Sequence, residues 1–208
     1  FTYSSEENGT YSDTKPSAAG TYWVKAAVAE TENYEPLQAK KSFTIYTVKV
    51  NEPAKDTSVF SYNGAEQTYV VAANDAYTVS GNKQTNAGNH TVTIALIDKN
   101  NYEWTTAGNS DDLTYAFNIG KIDYDMSGIT FENGTAEYDG QTHSLTISGT
   151  LPTGLDGITV TVSYTGSATS VSEGAVTVTA TFATDSVNYN VPEAKTATIT
   201  ITQATNEW

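Results

Sequence analysis

Few residues of this chain have the types and spacing that catalysis requires. The two histidines, His90 and His143, do not occupy equivalent positions in the internal repeat described below. His90 alternates in phase with Val92 and Ile94, which favours a ring packed at the end of a strand over a base or a metal ligand. Serine and threonine are abundant, but no nucleophile elbow accompanies them. Because cysteine is absent, thiol chemistry is excluded. Taken together, these observations predict no catalytic residue and no enzymatic activity.

Two pairs of acidic residues are the best candidates for a metal site. Asp111 with Asp112, and Asp123 with Asp125, could each supply half of a calcium site, because calcium prefers carboxylate and carbonyl oxygens. Neither pair has the spacing of an EF-hand, and both pairs fall in predicted junctions between modules. We favour their interpretation as solvated linker acids, and we predict no metal site and no cofactor.

Aromatic side chains are better candidates for binding a ligand. Trp23 is predicted to lie on the strand face opposite Tyr22 and Val24, and an exposed tryptophan can stack on a sugar ring. It is the candidate ligand-binding residue, although packing within its module or against a linker is the favoured alternative. Trp104 occupies a position held by proline or valine in the other copies, which predicts a loop-packing role. Trp208 ends the chain and is assigned to a linker.

These residues must be positioned by a repeated strand. The pattern is a glycine turn, an alternating strand, a polar loop and an Asn-Tyr pair, and it starts at Gly20, Gly88 and Gly174. The Asn-Tyr pairs follow at 33–34, 101–102 and 188–189, so glycine and tyrosine are 14, 14 and 15 positions apart. Repeats with a fixed spacing indicate an array of similar modules.

The repeat predicts three modules. Residues 1–47 are the second half of one module, and residues 48–121 and 122–208 are complete modules. We call them copies 1, 2 and 3. Strands are predicted, among other places, at residues 59–62, 90–97, 129–131 and 143–148, with an irregular crossover at 149–157. Because copy 1 has no opening strands, we expect an unpaired sheet edge in it.

Two matching turns support the alignment of copies 2 and 3. Tyr62-Asn63-Gly64 and Tyr138-Asp139-Gly140 agree in position and chemistry, with a glycine where the turn needs a positive φ. We expect both tyrosine rings to be buried under the turn glycine, with their hydroxyl groups hydrogen-bonded to the backbone.

Alternating strands rich in threonine, valine, isoleucine and tyrosine predict an all-β fold. The favoured architecture is an elongated tandem array of small antiparallel β-sandwich modules of the immunoglobulin-like class. Gly20-Thr21-Tyr22-Trp23-Val24 resembles a tyrosine-corner segment of that class, although His90 and Val176 replace the tyrosine in the other copies. A β-grasp module is the alternative, but it requires a helix, and no sustained helical period is visible.

Charge excludes several partners. The formal net charge is -14, and all ten basic residues are lysine. Such a surface repels phosphate backbones and anionic lipid, so neither nucleic acid nor a membrane surface is an expected partner. No apolar run approaches the roughly 20 residues that span a bilayer. The charge is uneven: it is -2 in copy 1, -3 in copy 2 and -9 in copy 3.

Several residues carry a family resemblance. Tyr138-Asp139-Gly140-Gln141, the run 147–152, Gly174 and Asn188-Tyr189 resemble the repeats of bacterial cell-surface proteins known as MBG or YDG-type domains. The resemblance covers about the last 90 residues well, residues 58–119 reasonably, and residues 1–47 only for the half present. It implies an extracellular location, at the cell wall or cell surface, and carries no catalytic residues. A Lys–Asn cross-link of the kind found in sandwich modules of Gram-positive surface proteins would join Lys195 to Asn133, but ordinary structural roles are favoured.

The sequence therefore predicts a non-catalytic tandem-repeat region of a secreted bacterial surface protein. We expect it to act as a monomeric stalk or spacer in adhesion. Host or plant glycans, or a surface protein, would be bound through another part of the parent chain. One alternative is a glycan- or mucin-binding module that uses exposed aromatic residues. Another is an accessory region of a secreted glycosidase.

Overall fold

In a computed structural model the chain is an all-β protein, and residues 1–205 are described here. Within 1–205 the helical structure is confined to a 3-10 turn at Val171–Glu173. No helix in the described part of the chain is long and apolar enough to cross a membrane. The prediction of an all-β fold is confirmed. The strands are β1 (Thr2–Ser4), β2 (Gly20–Val28), β3 (Leu37–Ile45), β4 (Val48–Val50), β5 (Phe60–Ser61), β6 (Gln67–Thr68), β7 (Tyr77–Ser80), β8 (Lys83–Gln84), β9 (Gly88–Leu96), β10 (Tyr102–Trp104), β11 (Leu113–Gly120), β12 (Gly134–Glu137), β13 (Thr161–Thr165), β14 (Ala175–Ala183) and β15 (Lys195–Thr202).

The chain forms two compact units. Unit 1 contains residues 1–57, 69–82 and 91–115, and unit 2 contains residues 58–68, 83–90 and 116–205. Strands β9 and β11 contribute residues to both units. The predicted module boundaries after residues 47 and 121 follow the sequence repeat and stay a prediction.

Unit 1 holds the sheet of copy 1 and part of copy 2. β1, β2 and β3 form an antiparallel sheet in that order, with Gly20 opposite Ile45 at one end and Val28 opposite Leu37 at the other. β4 pairs in parallel with β10, and β7 pairs antiparallel with residues 93–96 of β9. The core of this unit centres on Trp104, which is fully buried, together with Val92 and Ile94.

Unit 2 holds copy 3 and the remainder of copy 2. β12, β15, β14 and β13 form a four-stranded sheet in that order, in which β12 runs parallel to β15 and the other pairs are antiparallel. β5 pairs in parallel with the end of β11, and β6 pairs antiparallel with β8. The core residues Ala168, Val178, Ile199 and Ile201 are at most 2% exposed.

Copies 2 and 3 share one strand order. In copy 2 the order is β5-β11-β9-β7, and in copy 3 it is β12-β15-β14-β13. In both, the short opening strand lies parallel to the closing strand. The modules were predicted to be antiparallel, and these two pairs are parallel instead. The immunoglobulin-like arrangement stays a prediction. Alternation of apolar residues determines which face each side chain occupies, but it does not determine the direction of the neighbouring strand.

Several predicted elements differ from the structure. The expected strands at 129–131 and 143–148 are reduced to isolated bridges, Thr130 with Ser148 and His143 with Ala168. Conversely, β10 and β12 were not predicted as strands, because their short parallel pairing depends on distant residues. The crossover at 149–157 is irregular, as predicted, with a bridge between Thr153 and Thr159.

Candidate functional site

Asn188 in unit 2 is a buried asparagine whose side-chain amide has several hydrogen-bond partners. It is 3% exposed, and its Oδ1 accepts a hydrogen bond from the backbone N–H of Ala87 at 2.8 Å. Its Nδ2 donates to Asp156 Oδ2 at 3.1 Å and lies 3.4 Å from Asn86 Oδ1. Buried polar groups are costly unless paired, and this amide is paired on both sides. It therefore joins copy 3 to the turn that precedes Gly88 in copy 2.

Asp156 holds the Asn188 amide in this orientation. Its carboxylate accepts hydrogen bonds from Ser186 Oγ and Asn188 Nδ2, and at 3.2 Å from the N–H of Ile158. Desolvation is the largest influence and raises the pKa of Asp156, but the hydrogen bonds from Ser186, Ile158 and Asn188 outweigh it and leave the pKa below its ordinary value. The carboxylate is thus ionised at neutral pH and acts only as an acceptor.

Aromatic rings pack beside this hydrogen-bond network. Tyr189 is 5% exposed and stacks on Tyr124, with ring centroids 4.1 Å apart. The ring of Tyr62 meets Tyr189 edge-on at 5.8 Å, and the Tyr189 hydroxyl accepts the N–H of Leu155 at 2.8 Å. Burial, followed by the charge of Asp156 and by Tyr189, raises the pKa of Tyr62. The rings bury apolar surface, while Leu155 lies against Gly64 of the turn after Tyr62.

Unit 1 contains the corresponding contact around Asn101. Its Oδ1 accepts the N–H of Ala19 at 2.9 Å, and its Nδ2 donates to Asp98 Oδ2 at 2.6 Å. Asp98 lies three residues earlier in the chain, whereas Asp156 comes from the crossover of copy 3. The hydrogen bonds of Asn101, which exceed the opposing desolvation, lower the pKa of Asp98. The same asparagine contact is therefore built in both units with carboxylates from different places.

The two donor turns are also held in the same way. The hydroxyl of Tyr22 donates to the carbonyl of Ala18 at 3.0 Å, which is the hydrogen bond expected of a tyrosine corner. His90 has the equivalent position in copy 2, and its Nε2 bonds the carbonyl of Asn86 at 2.9 Å. The His90 ring also packs on Phe117 at 5.3 Å. The prediction that His90 is a packing residue is confirmed, with a turn-holding hydrogen bond added.

Copy 3 carries a different turn at this place. Its 3-10 turn bonds the N–H of Glu173 to the carbonyl of Ser170 at 3.2 Å. The Glu173 carboxylate accepts the N–H groups of Thr169 and Ser170, and these hydrogen bonds lower its pKa. The N–H that corresponds to those of Ala19 and Ala87 is therefore satisfied within copy 3.

The equivalence of the two tyrosine turns fails in the structure. Tyr62 is 5% exposed, but Tyr138 is 48% exposed, so the prediction that both rings are buried is wrong for Tyr138. A Cβ added at Gly64 would lie 3.3 Å from Leu155, whereas one added at Gly140 would meet nothing within 4 Å. The ring of Tyr62 is buried by the loop and tyrosine of the following copy, and not by its own turn.

Trp23, the predicted ligand-binding residue, lies in β2 and is half-buried, opposite Ser4 and Ser42. The structure does not bring it together with the asparagine contacts. Trp104 is fully buried, and its Nε1 donates to the Asp111 carbonyl at 2.7 Å. The predicted packing role is confirmed, but Trp104 lies in strand β10 and not in a loop. Trp208 lies outside the described residues.

The remaining candidates have local partners. His143 Nε2 lies 2.8 Å from Asp139 Oδ1, and Asn133 Oδ1 accepts the N–H of Thr198. Asp112 forms an ion pair with Lys99 at 2.8 Å. Over residues 1–205, histidine, aspartate and glutamate side chains do not gather in a group of three that could hold a metal ion.

In both contacts an asparagine Oδ1 accepts a backbone N–H, and at Asn188 aromatic rings pack beside the contact. Sequence reasoning used Asn101 and Asn188 to find the repeat but gave them no role. It missed Asp98 and Asp156 completely. The signal that could have identified these asparagines is the recurrence of the Asn-Tyr pair at nearly the same distance after the glycine in each copy. The arrangement supports attachment between segments of protein.

Comparisons with known proteins found no relative of this chain. The chain matches no family model, and searches of curated proteins and solved structures returned no significant match. The resemblance to MBG or YDG-type repeats therefore stays a prediction that rests on the residues named above.

Proposed function

We propose that this chain is a non-catalytic tandem-repeat region that serves as a stalk or spacer in a secreted bacterial surface protein. The observation that carries the proposal is the use of the repeated residues. Ala19 and Ala87 precede the repeated glycine, and each donates its N–H to an asparagine of the next copy, Asn101 or Asn188. The most regular part of the sequence thus attaches one copy to the next.

This use of the repeat is what a spacer requires. In repeat proteins, stability is a sum of terms within repeats and between neighbours, so residues that join neighbours must recur. The acidic charge, which rises to -9 in copy 3, favours solubility in an exposed protein. We further propose an extracellular, cell-wall or cell-surface location, immunoglobulin-like modules in a linear array, and a monomeric state. Ligand binding would belong to another part of the parent chain.

Small-angle scattering tests the spacer proposal. A compact globule of this length has a radius of gyration of about 17 Å. We expect a clearly larger radius and a distance distribution with an extended tail. A radius near the compact value at several protein concentrations would contradict the proposal.

A glycan- or mucin-binding module is the second candidate. It is favoured by exposed aromatic rings in copy 1, since Tyr34 is 78% and Tyr46 is 82% exposed, and such rings can stack on sugars. A glycan array tests it. Binding that is lost in Trp23→Ala, Tyr34→Ala or Tyr46→Ala would support this candidate, and an array without binding would contradict it. An accessory role beside a glycosidase is a third proposal, and sequencing of the full gene would test it.

A further inference from the structure

The opening and closing strands of copy 3 are parallel neighbours at one edge of their sheet. Residues 134–137 of β12 lie opposite residues 199–202 of β15, and we call these two segments the shear pair. In copy 2, residues 60–61 of β5 lie in the same way opposite residues 119–120 of β11. Two copies that differ in their turns thus keep the same neighbours and the same strand direction.

Strand direction determines how such a pair responds to tension along the chain. The load pulls on the opening strand from its start and on the closing strand from its end. In an antiparallel pair these two points are adjacent, so the hydrogen bonds would break one after another. In a parallel pair the two points lie at opposite ends, and the evenly spaced hydrogen bonds carry the load together. A parallel pair therefore resists tension better than an antiparallel pair of the same length.

The load has a direct path through copy 3. It enters β12 at Gly134 and leaves β15 at Thr202, at opposite ends of the shear pair. Because β12 is the edge strand and its neighbour in the sheet is β15, the load passes across four residue pairs before it reaches β14. The strands cannot slide apart until these pairs break together.

Side chains extend the shear pair at both ends. Asn133 Oδ1 accepts the N–H of Thr198 at 2.8 Å, at the end where the load enters. At the other end, Glu137 Oε1 accepts the N–H of Thr205 at 2.9 Å. These hydrogen bonds lie at the two points where tension first acts on the strands.

The shear pair is covered by apolar side chains. Ile199 and Ile201 of β15 are 2% exposed, and Ala136 of β12 packs against the core cluster that contains them. A Cβ added at Gly134 would lie 2.7 Å from Leu145 Cδ2, so Leu145 covers the start of β12. Hydrogen bonds are stronger in such a low-dielectric environment than in water.

The backbone ahead of β12 is held at isolated bridges. Ile122 lies parallel to Tyr189, and Thr130 lies antiparallel to Ser148. Each bridge joins a single pair of residues, so we expect each to break before the four pairs of β12 and β15. The shear pair is therefore the main resistance of copy 3 to tension.

We propose that the shear pair keeps copy 3 folded while the chain is under tension, and that β5 with β11 forms a shorter pair of the same kind in copy 2. The use of this resistance rests on the proposed spacer function, because a stalk that holds a bound partner is pulled along its chain. Modules under such a pull must unfold slowly, since forced unfolding is governed by the unfolding rate. The parallel pair slows unfolding through the direction of its strands, without requiring a more stable fold.

Pulling the same fold from two different points tests this geometry. The sequence has no cysteine, so introduced cysteines can place handles for optical tweezers at chosen residues of the full chain. Handles at Glu132→Cys and Gln203→Cys load the pair in shear, as tension along the chain does. Handles at Gln141→Cys and Gln203→Cys pull on adjacent ends of β12 and β15 and open the pair one bond at a time. All three positions are exposed, and thermal unfolding checks that both variants are folded.

The shear arrangement should unfold at roughly fourfold higher force at the same loading rate, because four residue pairs share the load in one arrangement and one pair bears it in the other. The two proteins differ in the position of one surface handle, so the force difference reports the direction of the load and not the stability of the fold. Equal forces, or a higher force with the handle at Gln141→Cys, would overturn the proposal.

Two asparagine variants test the end of the shear pair. Asn133→Ala removes the contact with the Thr198 N–H and should lower the force in the shear arrangement by roughly a fifth, since one of about five contacts that share the load is lost. Asn190→Ala is the matched control, because Asn190 is also exposed and donates to Asp123 Oδ1 at 2.7 Å, away from β12 and β15. An equal loss of force in both variants would contradict the assigned load path.

These results separate the shear pair from the spacer function. A fourfold force difference with a compact radius of gyration would support the shear pair and contradict its use in a stalk. Equal forces with an extended particle would overturn the shear pair and leave the spacer proposal standing.

Discussion

Asn101 and Asn188 each accept a backbone N–H from the preceding copy, but the residues that surround and orient the two asparagines differ. Asn188 is 3% exposed and is oriented by Asp156 from a distant crossover, beside the rings of Tyr189, Tyr124 and Tyr62. Asn101 is half-buried and is oriented by Asp98, which is three residues away. The hydrogen bond to a backbone N–H is the same to within 0.1 Å. The difference teaches that burial around the bond, more than its length, should determine how much each contact stabilises the protein.

The largest difference should appear when Tyr62 is replaced. Tyr62→Ala removes a buried ring from the Tyr189 contact and leaves a cavity, which we expect to lower the midpoint of thermal unfolding of unit 2 by about 8 °C. Tyr138→Ala is the matched control, since Tyr138 holds the same position but is 48% exposed. Circular dichroism melts of both variants check this, and equal midpoints would contradict the assigned burial.

Replacing the asparagines should give the next largest effect. Asn188→Ala leaves the Ala87 N–H and one acceptor site of Asp156 unpaired, which should cost about 2–3 kcal/mol, whereas Asn101→Ala should cost about 1 kcal/mol. Amide hydrogen exchange reads each contact separately. We expect exchange at Ala87 to accelerate more in Asn188→Ala than exchange at Ala19 in Asn101→Ala. The reverse order would show that burial does not set the strength of these contacts.

The sequence revealed the repeated residues that form these contacts, but it did not reveal which carboxylates orient the asparagines. The repeated glycine and Asn-Tyr pair were visible because both contacts need them at a fixed spacing. The roles of Asp98 and Asp156 could not be predicted, because the carboxylate that orients the asparagine comes from different places in the two contacts. Asp98 lies in a loop three residues before Asn101, and Asp156 lies in a crossover more than 30 residues before Asn188. The spacing of residues within a repeat does not predict which distant loop will contact a given side chain.

The same limit explains the errors in the fold. Alternation located β9, β14 and β15 well, because long strands with one buried face show a clear period. It missed β10 and β12, which are short and pair in parallel with β4 and β15. It also placed Tyr138 in the core by analogy with Tyr62, although the ring of Tyr62 is buried by another copy.

The donor turns allow a smaller test of the comparison. Tyr22→Phe removes only the hydroxyl that bonds the Ala18 carbonyl, and we expect a loss of about 1 kcal/mol. His90→Phe removes the equivalent bond to Asn86 but keeps an aromatic ring on Phe117. Chemical denaturation of the two variants should give similar losses if both side chains only hold the turn. A much larger loss in one variant would show that its turn depends on further contacts.

The smallest effect should come from acid. The pKa values of Asp156 and Asp98 are both held below the ordinary value of 3.8. A lowered pKa in the folded state stabilises the protein above the unfolded pKa, and that stabilisation is lost as pH falls below 3.8 through the folded pKa. Protonation of either carboxyl removes an acceptor from its asparagine, so the amide resonances of Ala87 and Ala19 should shift in this range. Asp156→Asn should abolish the shift at Ala87 and leave that at Ala19, while Asp98→Asn should do the reverse. A midpoint above pH 3.8 at Ala87 would mean that desolvation outweighs the hydrogen bonds of Asp156, and the buried contact would then be the weaker of the two in acid.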